Sequence, residues 1–182
     1  MSRHKLRRLS SPMARCAVLT AVALCGMCLA APLRAAQCSI QTTGLSFGTY
    51  DPLAPAADAA NGTLGVTCNA KKNNEKRNGF SATITLSTGS SGSYAARTLR
   101  TATDTLRYNL YLDAAYTTVF GDDTGGSLAS TLCYRGSRRD PCGGSGLTSG
   151  TPHNVTVYGQ IPAGQDVAPG GFIDNLVATV IF

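Results

Sequence analysis

The sequence predicts an all-β protein, an antiparallel sandwich that folds after an export leader is removed. Three observations carry this. Short segments alternate apolar and polar residues with period two. Turn residues separate those segments at short intervals, the pattern of stacked antiparallel sheets. No long helical periodicity follows the leader, in a chain with no tryptophan and 20 glycines.

The leader comes first. Arg3, Lys5, Arg7, Arg8 and Arg15 form a basic n-region, and residues 16–31 form an apolar run. That run is shorter than the roughly 20 residues a membrane helix needs, so a secretory signal is expected rather than an integral span. Cleavage is expected near Ala35 and Ala36. The division is then a signal peptide over 1–36 and one domain over 37–182, long enough for a core of its own. Six of the sixteen Lys and Arg lie in the leader, whereas all ten acidic residues follow it. The processed chain is therefore close to neutral, and its charge balance makes no case for nucleic acid.

Cys38, Cys68, Cys133 and Cys142 remain after processing. An even number in an exported chain points to two disulfides, and of the three pairings the nearest-neighbour one is expected, Cys38–Cys68 with Cys133–Cys142. The spacings fit no zinc-finger pattern.

The strands are read in order. Leu45 and Phe47 share one face of a strand that ends at Asp51-Pro52. Leu64, Val66 and Cys68 point inward from the next. Phe80, Ala82, Ile84 and Leu86 alternate strictly, as do Leu106, Tyr108, Leu110 and Leu112. Val155 and Val157 belong to a late strand beginning at Asn154. The sequence closes on Leu176–Phe182, where both alternating faces are largely apolar. Such a strand is expected to be buried, and nothing follows it to lie beside it. It is either central by topology or waits for a neighbour from another chain. Between the strands, Pro52–Asn61 reads as a crossover between sheets and Ala70–Gly79 as a polar hairpin tip.

Catalytic equipment is sparse. His153 is the one histidine after the leader, placed in a loop beside Pro152, and any Ser-His-Asp or Cys-His site would have to use it. Asp122-Asp123-Thr124-Gly125-Gly126 lacks the alternating oxygen ligands and distal glutamate of an EF-hand and reads as a tight turn. No enzyme activity, cofactor or metal is expected. Lys71, Lys72, Lys76 and Arg77 form a basic tip. Its ordinary reading is a charged hairpin that discourages edge aggregation; its functional reading is contact with an anionic surface. Arg135, Arg138 and Arg139, inside the Cys133–Cys142 loop, carry the same two readings.

Three ordered stretches carry a resemblance. They are Cys38-Ser-Ile with Leu45-Ser-Phe-Gly-Thr-Tyr-Asp-Pro52 and Cys68; then Leu106–Gly125; then Val157–Gln165 with Gly170–Phe182. Together they resemble the spore coat protein U domain family, which includes pilins of the archaic, Csu-type chaperone–usher pathway. The resemblance implies an incomplete immunoglobulin-like sandwich lacking its final strand. A periplasmic chaperone and then a neighbouring subunit supply that strand by β-strand addition, and an outer-membrane usher assembles the fibre. It further implies that Val177, Ala178, Val180, Ile181 and Phe182 border the receiving groove, that the Phe182 carboxylate anchors the chaperone, and that Cys38–Cys68 is the family's usual bridge. The destination would be the cell surface, reached through the periplasm.

The family's donor strand, an alternating apolar stretch before the first cysteine, has no counterpart near Cys38. The expectation is a non-enzymatic structural or adhesive subunit that accepts a strand without giving one, at a fibre tip or terminus. The alternative is a free-standing secreted β-sandwich binding module whose own strands close the fold.

Overall fold

A computed structural model describes residues 36–182. The expected leader lies outside the described residues, except for Ala36. Among the described residues, eight strands form two antiparallel sheets. β1 (Gln37–Thr43), β2 (Asp58–Asn69), β7 (His153–Ile161), β5 (Thr105–Tyr111) and β4 (Arg97–Arg100) make the larger sheet, in that spatial order. β6 (Ser130–Tyr134), β3 (Phe80–Leu86) and β8 (Ala178–Ile181) make the smaller one. The predicted sandwich is therefore present, and its core is the set of inward positions that the period-two alternation marks. Leu64, Val66 and Cys68 of β2 meet Ala82, Ile84 and Leu86 of β3, with Leu106, Tyr108 and Leu110 of β5 completing the interior.

Both expected disulfides form. Cys38–Cys68 bridges directly opposed residues of β1 and β2. Closing a loop across a separation of 30 residues is worth about 3–4 kcal/mol in the chain-entropy account. Cys133–Cys142 closes a separation of 9 residues after β6.

Several local expectations change. Leu45 and Phe47 are half-buried against the core as predicted, but residues 44–50 join no sheet. They run as extended chain across the inner face of the larger sheet. The space is made by glycine. A Cβ on Gly159 would lie 2.7 Å from Leu45 Cδ1 and 2.8 Å from Phe47 Cζ, and one on Gly62 would lie 3.3 Å from Leu45 Cβ.

The two connections exchange roles. Residues 44–57 link β1 and β2, neighbours in one sheet, so no crossover occurs at 52–57, and β2 already begins at Asp58. The crossover is the segment after Asn69. It holds a short helix, α1 (Asn73–Asn78), in place of a hairpin tip. Glu75 explains the helix, because its carboxylate accepts the backbone N–H groups of Lys71 and Lys72 at 2.9 Å each and caps the first turn. It also accepts the Ala36 N–H at 3.0 Å, which ties the start of β1 to α1. Partial burial raises the Glu75 carboxyl, but these backbone donors outweigh it and hold the group below the ordinary carboxylate value.

Arg97, not singled out by the sequence, is fully buried. Its guanidinium donates to the Ser87 carbonyl through Nε at 3.1 Å and Nη2 at 2.9 Å, to the Phe120 carbonyl at 2.7 Å and to Asn109 Oδ1 at 2.7 Å. It lies 5.1 Å from the Tyr94 ring centroid. Burial pulls its affinity for a proton down, and the hydrogen bonds satisfy the charged fork. The network fastens the loops after β3 and β5 to β4. It thereby fixes the end of the sandwich from which the last segment of chain departs.

Candidate functional site: an open groove beside the C-terminal strand

The last segment crosses from one sheet to the other. Ile173 exchanges backbone hydrogen bonds with Arg100 on the outer side of β4, at 2.8 and 3.1 Å. The chain then leaves that sheet and becomes β8, which pairs with β3 from Leu86↔Ala178 to Thr83↔Ile181. Among the described residues no strand lies on its other side.

The backbone pattern shows what that free edge offers. Val177 accepts the Ser87 N–H at 2.9 Å and donates to Ser87 Oγ at 2.9 Å. Backbone groups alternate along an antiparallel ladder, so Val177, Thr179 and Ile181 face β3. Ala178 and Val180 direct their N–H and C=O groups to the unoccupied side.

A groove opens beside this edge. Its volume is about 280 Å³, and it runs between Leu176 and Ala178 on one side and Thr42–Leu45 and Phe47 on the other. Its floor is the core itself. Leu64, Leu86, Leu110 and Val157, drawn from four strands of both sheets, line it and are only 4–6% exposed. A second cavity of about 670 Å³ shares Leu45, Phe47 and Leu99 with the first and continues toward Val167 and Phe172. One charged group stands in the groove wall. Asp174 accepts the Tyr108 hydroxyl at 2.7 Å and the backbone N–H of Ser90 and Asn175 at 2.9 Å each. Burial, reinforced by that carboxylate, pushes the Tyr108 phenol above its ordinary value and keeps it a neutral donor.

The five residues expected at the groove divide by parity. Ala178 lines it, and Val180 is half-buried on the same inner face. Val177 and Ile181 stand on the outer face of the small sheet with Thr179, 65% and 60% exposed; Phe182 is 51% exposed at the terminus. The strand is thus not buried, as its two apolar faces had implied, because none of the described residues covers its outer face or free edge. The opposite wall, Leu45 and Phe47, carries a signal that the sequence does contain. The glycines at 62 and 159 interrupt strands where that wall must approach.

The other sequence candidates lie elsewhere. His153 begins β7 rather than occupying a loop, and its ring packs edge-on to Tyr134 at 6.4 Å. Asp122 and Asp123 are turn residues: Asp122 accepts from Thr124, and Asp123 Oδ1 accepts the Ala129 N–H at 2.8 Å. Lys71, Lys72, Lys76 and Arg77 are exposed on or beside α1, away from the groove lining. No described helix is long and apolar enough to cross a membrane.

The described residues define an immunoglobulin-like antiparallel sandwich with an open, apolar edge beside β8. Comparison with known proteins gives the family. The Spore Coat Protein U domain model matches residues 25–179, and the chain belongs to that family. It is 35% identical over 151 residues to Protein U of Myxococcus xanthus, an alignment covering 76% of this chain and 71% of that one. The fold is similar to a chain in the crystal structure of the CsuC–CsuE chaperone–tip adhesion subunit pre-assembly complex, from archaic chaperone–usher Csu pili of Acinetobacter baumannii. The TM-score is 0.50 at 15% identity, and the match covers 81% of this chain but 40% of that one.

Proposed function

We propose that this protein is an exported, non-enzymatic subunit of a surface fibre, held folded by a strand borrowed from another polypeptide. A periplasmic chaperone lends the strand in transit, and a neighbouring subunit delivered by an outer-membrane usher replaces it. The observation that carries this reading is the free edge of β8 above a floor of core leucines. An added strand would ladder to Ala178 and Val180 and send alternate apolar side chains into the groove. Each apolar side chain seated there contributes on the order of 1.5–3 kcal/mol, so four or five of them match the stability of a typical domain.

A terminal or tip position within the fibre is the finer reading. What supports it is the immediate lead-in to Cys38, which lacks an alternating apolar stretch. Ala36, just before β1, is buried and bonded to Glu75 of its own domain rather than projecting from it.

Co-production with the cognate chaperone tests the assembly. Val180→Asp, which puts a carboxylate on the inner face of β8, is expected to cut recovery of the chaperone complex at least tenfold. A processed chain that purifies alone as a stable monomer, and ignores the chaperone, would overturn the reading in favour of a free-standing binding module. Immunogold labelling tests the position. Label confined to fibre ends is expected, and label along the shaft would refute it.

A further inference from the structure

The two basic stretches of the sequence lie 58 positions apart, counting from Arg77 to Arg135, yet the fold joins them. Loop 135–139 docks on the C-terminal end of α1. The N–H of Ser137 donates to the Lys76 carbonyl at 2.8 Å, and those of Arg138 and Arg139 donate to the Arg77 carbonyl at 2.9 and 3.0 Å. The approach is close enough that a Cβ on Gly136 would lie 2.4 Å from the Arg77 oxygen. The Cys133–Cys142 disulfide closes the loop. Asp140 stiffens it further by accepting the Cys142 and Gly144 N–H groups at 2.9 Å each.

Seven of the ten Lys and Arg that follow residue 36 are therefore gathered at one pole, against two of the ten acidic residues, Glu75 and Asp140. All seven cations are exposed. A near-neutral chain is thus strongly polarised, with its remaining eight carboxylates elsewhere. Like charges held together repel, and two rigid connections hold these together. A scattered set of solvated lysines would avoid that cost.

We infer that this pole is a binding face for a linear acidic polysaccharide. The cations spread over a helix and a loop and do not converge on a cavity, which suits a repeating chain of carboxylates or sulfates better than one small anion. Exposed Asn73, Asn74 and Ser137 stand among them, ready to hydrogen-bond sugar hydroxyls. Nucleic acid is the poorer match, because the stretches 70–79 and 135–146 contain no aromatic side chain on which a base would stack. A lipid surface is poorer too, since neither stretch carries a large apolar side chain of its own to insert. No residue of either stretch lines the groove or the cavity that continues it, so the pole remains available when a strand fills them.

The test uses the full processed chain as purified from the periplasm, with any chaperone it carries. The probes are immobilised alginate, heparin and sonicated duplex DNA, across a salt series. Binding to a glycan is expected to weaken at least about tenfold between 50 and 200 mM salt, as ion release requires. K76A/R77A and R138A/R139A are each expected to weaken it about tenfold or more at unchanged thermal midpoint. R100A/R107A, which removes the same charge elsewhere, should leave it intact. The inference is overturned if either pair at the pole has no effect, or if the control pair weakens binding equally. Duplex DNA held more tightly than both glycans would overturn it as well. None of these outcomes depends on strand capture, which the chaperone experiment reads separately.

Discussion

β1 and β8 are both edge strands, and they manage that position in opposite ways. β1 ends its sheet with Gln37, Ser39, Gln41 and Thr43 on the outward face, all exposed and polar. A disulfide locks it to β2 and Glu75 fastens its start. β8 ends its sheet with Val177 and Ile181 outward, unpaired backbone on its flank, and no covalent tie. Natural sheets blunt exposed edges with polar or charged residues and with cover. β1 follows that rule and β8 breaks it, in the same molecule.

The largest break in this contrast is removal of the open edge. Deleting residues 177–182 uncovers the flank of β3, where Ile84 and Leu86 are now buried. A loss on the order of 3–6 kcal/mol is expected from those two side chains, together with complete loss of chaperone recovery. Denaturant unfolding and co-purification read the two effects.

Opening the closed edge comes next. Replacing Cys38 and Cys68 together by serine should cost about 3–4 kcal/mol. The expected signature is faster amide exchange along β1, with β8 unchanged.

Gly159→Ala sharpens the comparison from inside the groove. Its Cβ would press on the ends of Leu45 and Phe47 at 2.7 and 2.8 Å. A penalty of about 1–2 kcal/mol is expected from overpacking, with slower strand capture, measured with a donor peptide, at intact β1 pairing.

The smallest effect is pH-dependent. The native Glu75 carboxyl lies below its free value of 4.5, so the native state favours the ionised form. That stabilisation is complete above about pH 4.5 and fades as the pH falls through the lower native value. Protection factors of the Ala36–Ser39 amides, taken against the intrinsic exchange rate at each pH, should therefore fall in acid, and Glu75→Gln should remove the dependence.

The core was legible because period-two alternation needs only local order. Phe80–Leu86 and Leu106–Leu110 read directly as strands with the correct faces inward. Residues 44–50 show the limit. Leu45 and Phe47 alternate like a strand, and they do face the core, but ladder pairing depends on a neighbour that alternation does not specify. The Ala70–Gly79 stretch was misread for a related reason. Its polarity fits a hairpin tip, whereas Glu75 collects backbone donors into a helical turn. Arg97 gave no local sign at all, since its partners come from Ser87, Asn109 and Phe120.

From sequence alone came the sandwich class, the cysteine pairs and the apolar alternation of Leu176–Phe182, because each is a matter of composition, spacing or short-range periodicity. Only the tertiary structure decided that β8 lies at an edge, that its groove reaches the core floor, and that two remote basic stretches share one pole. Those facts depend on which strands become neighbours, and that is settled by packing across the whole chain.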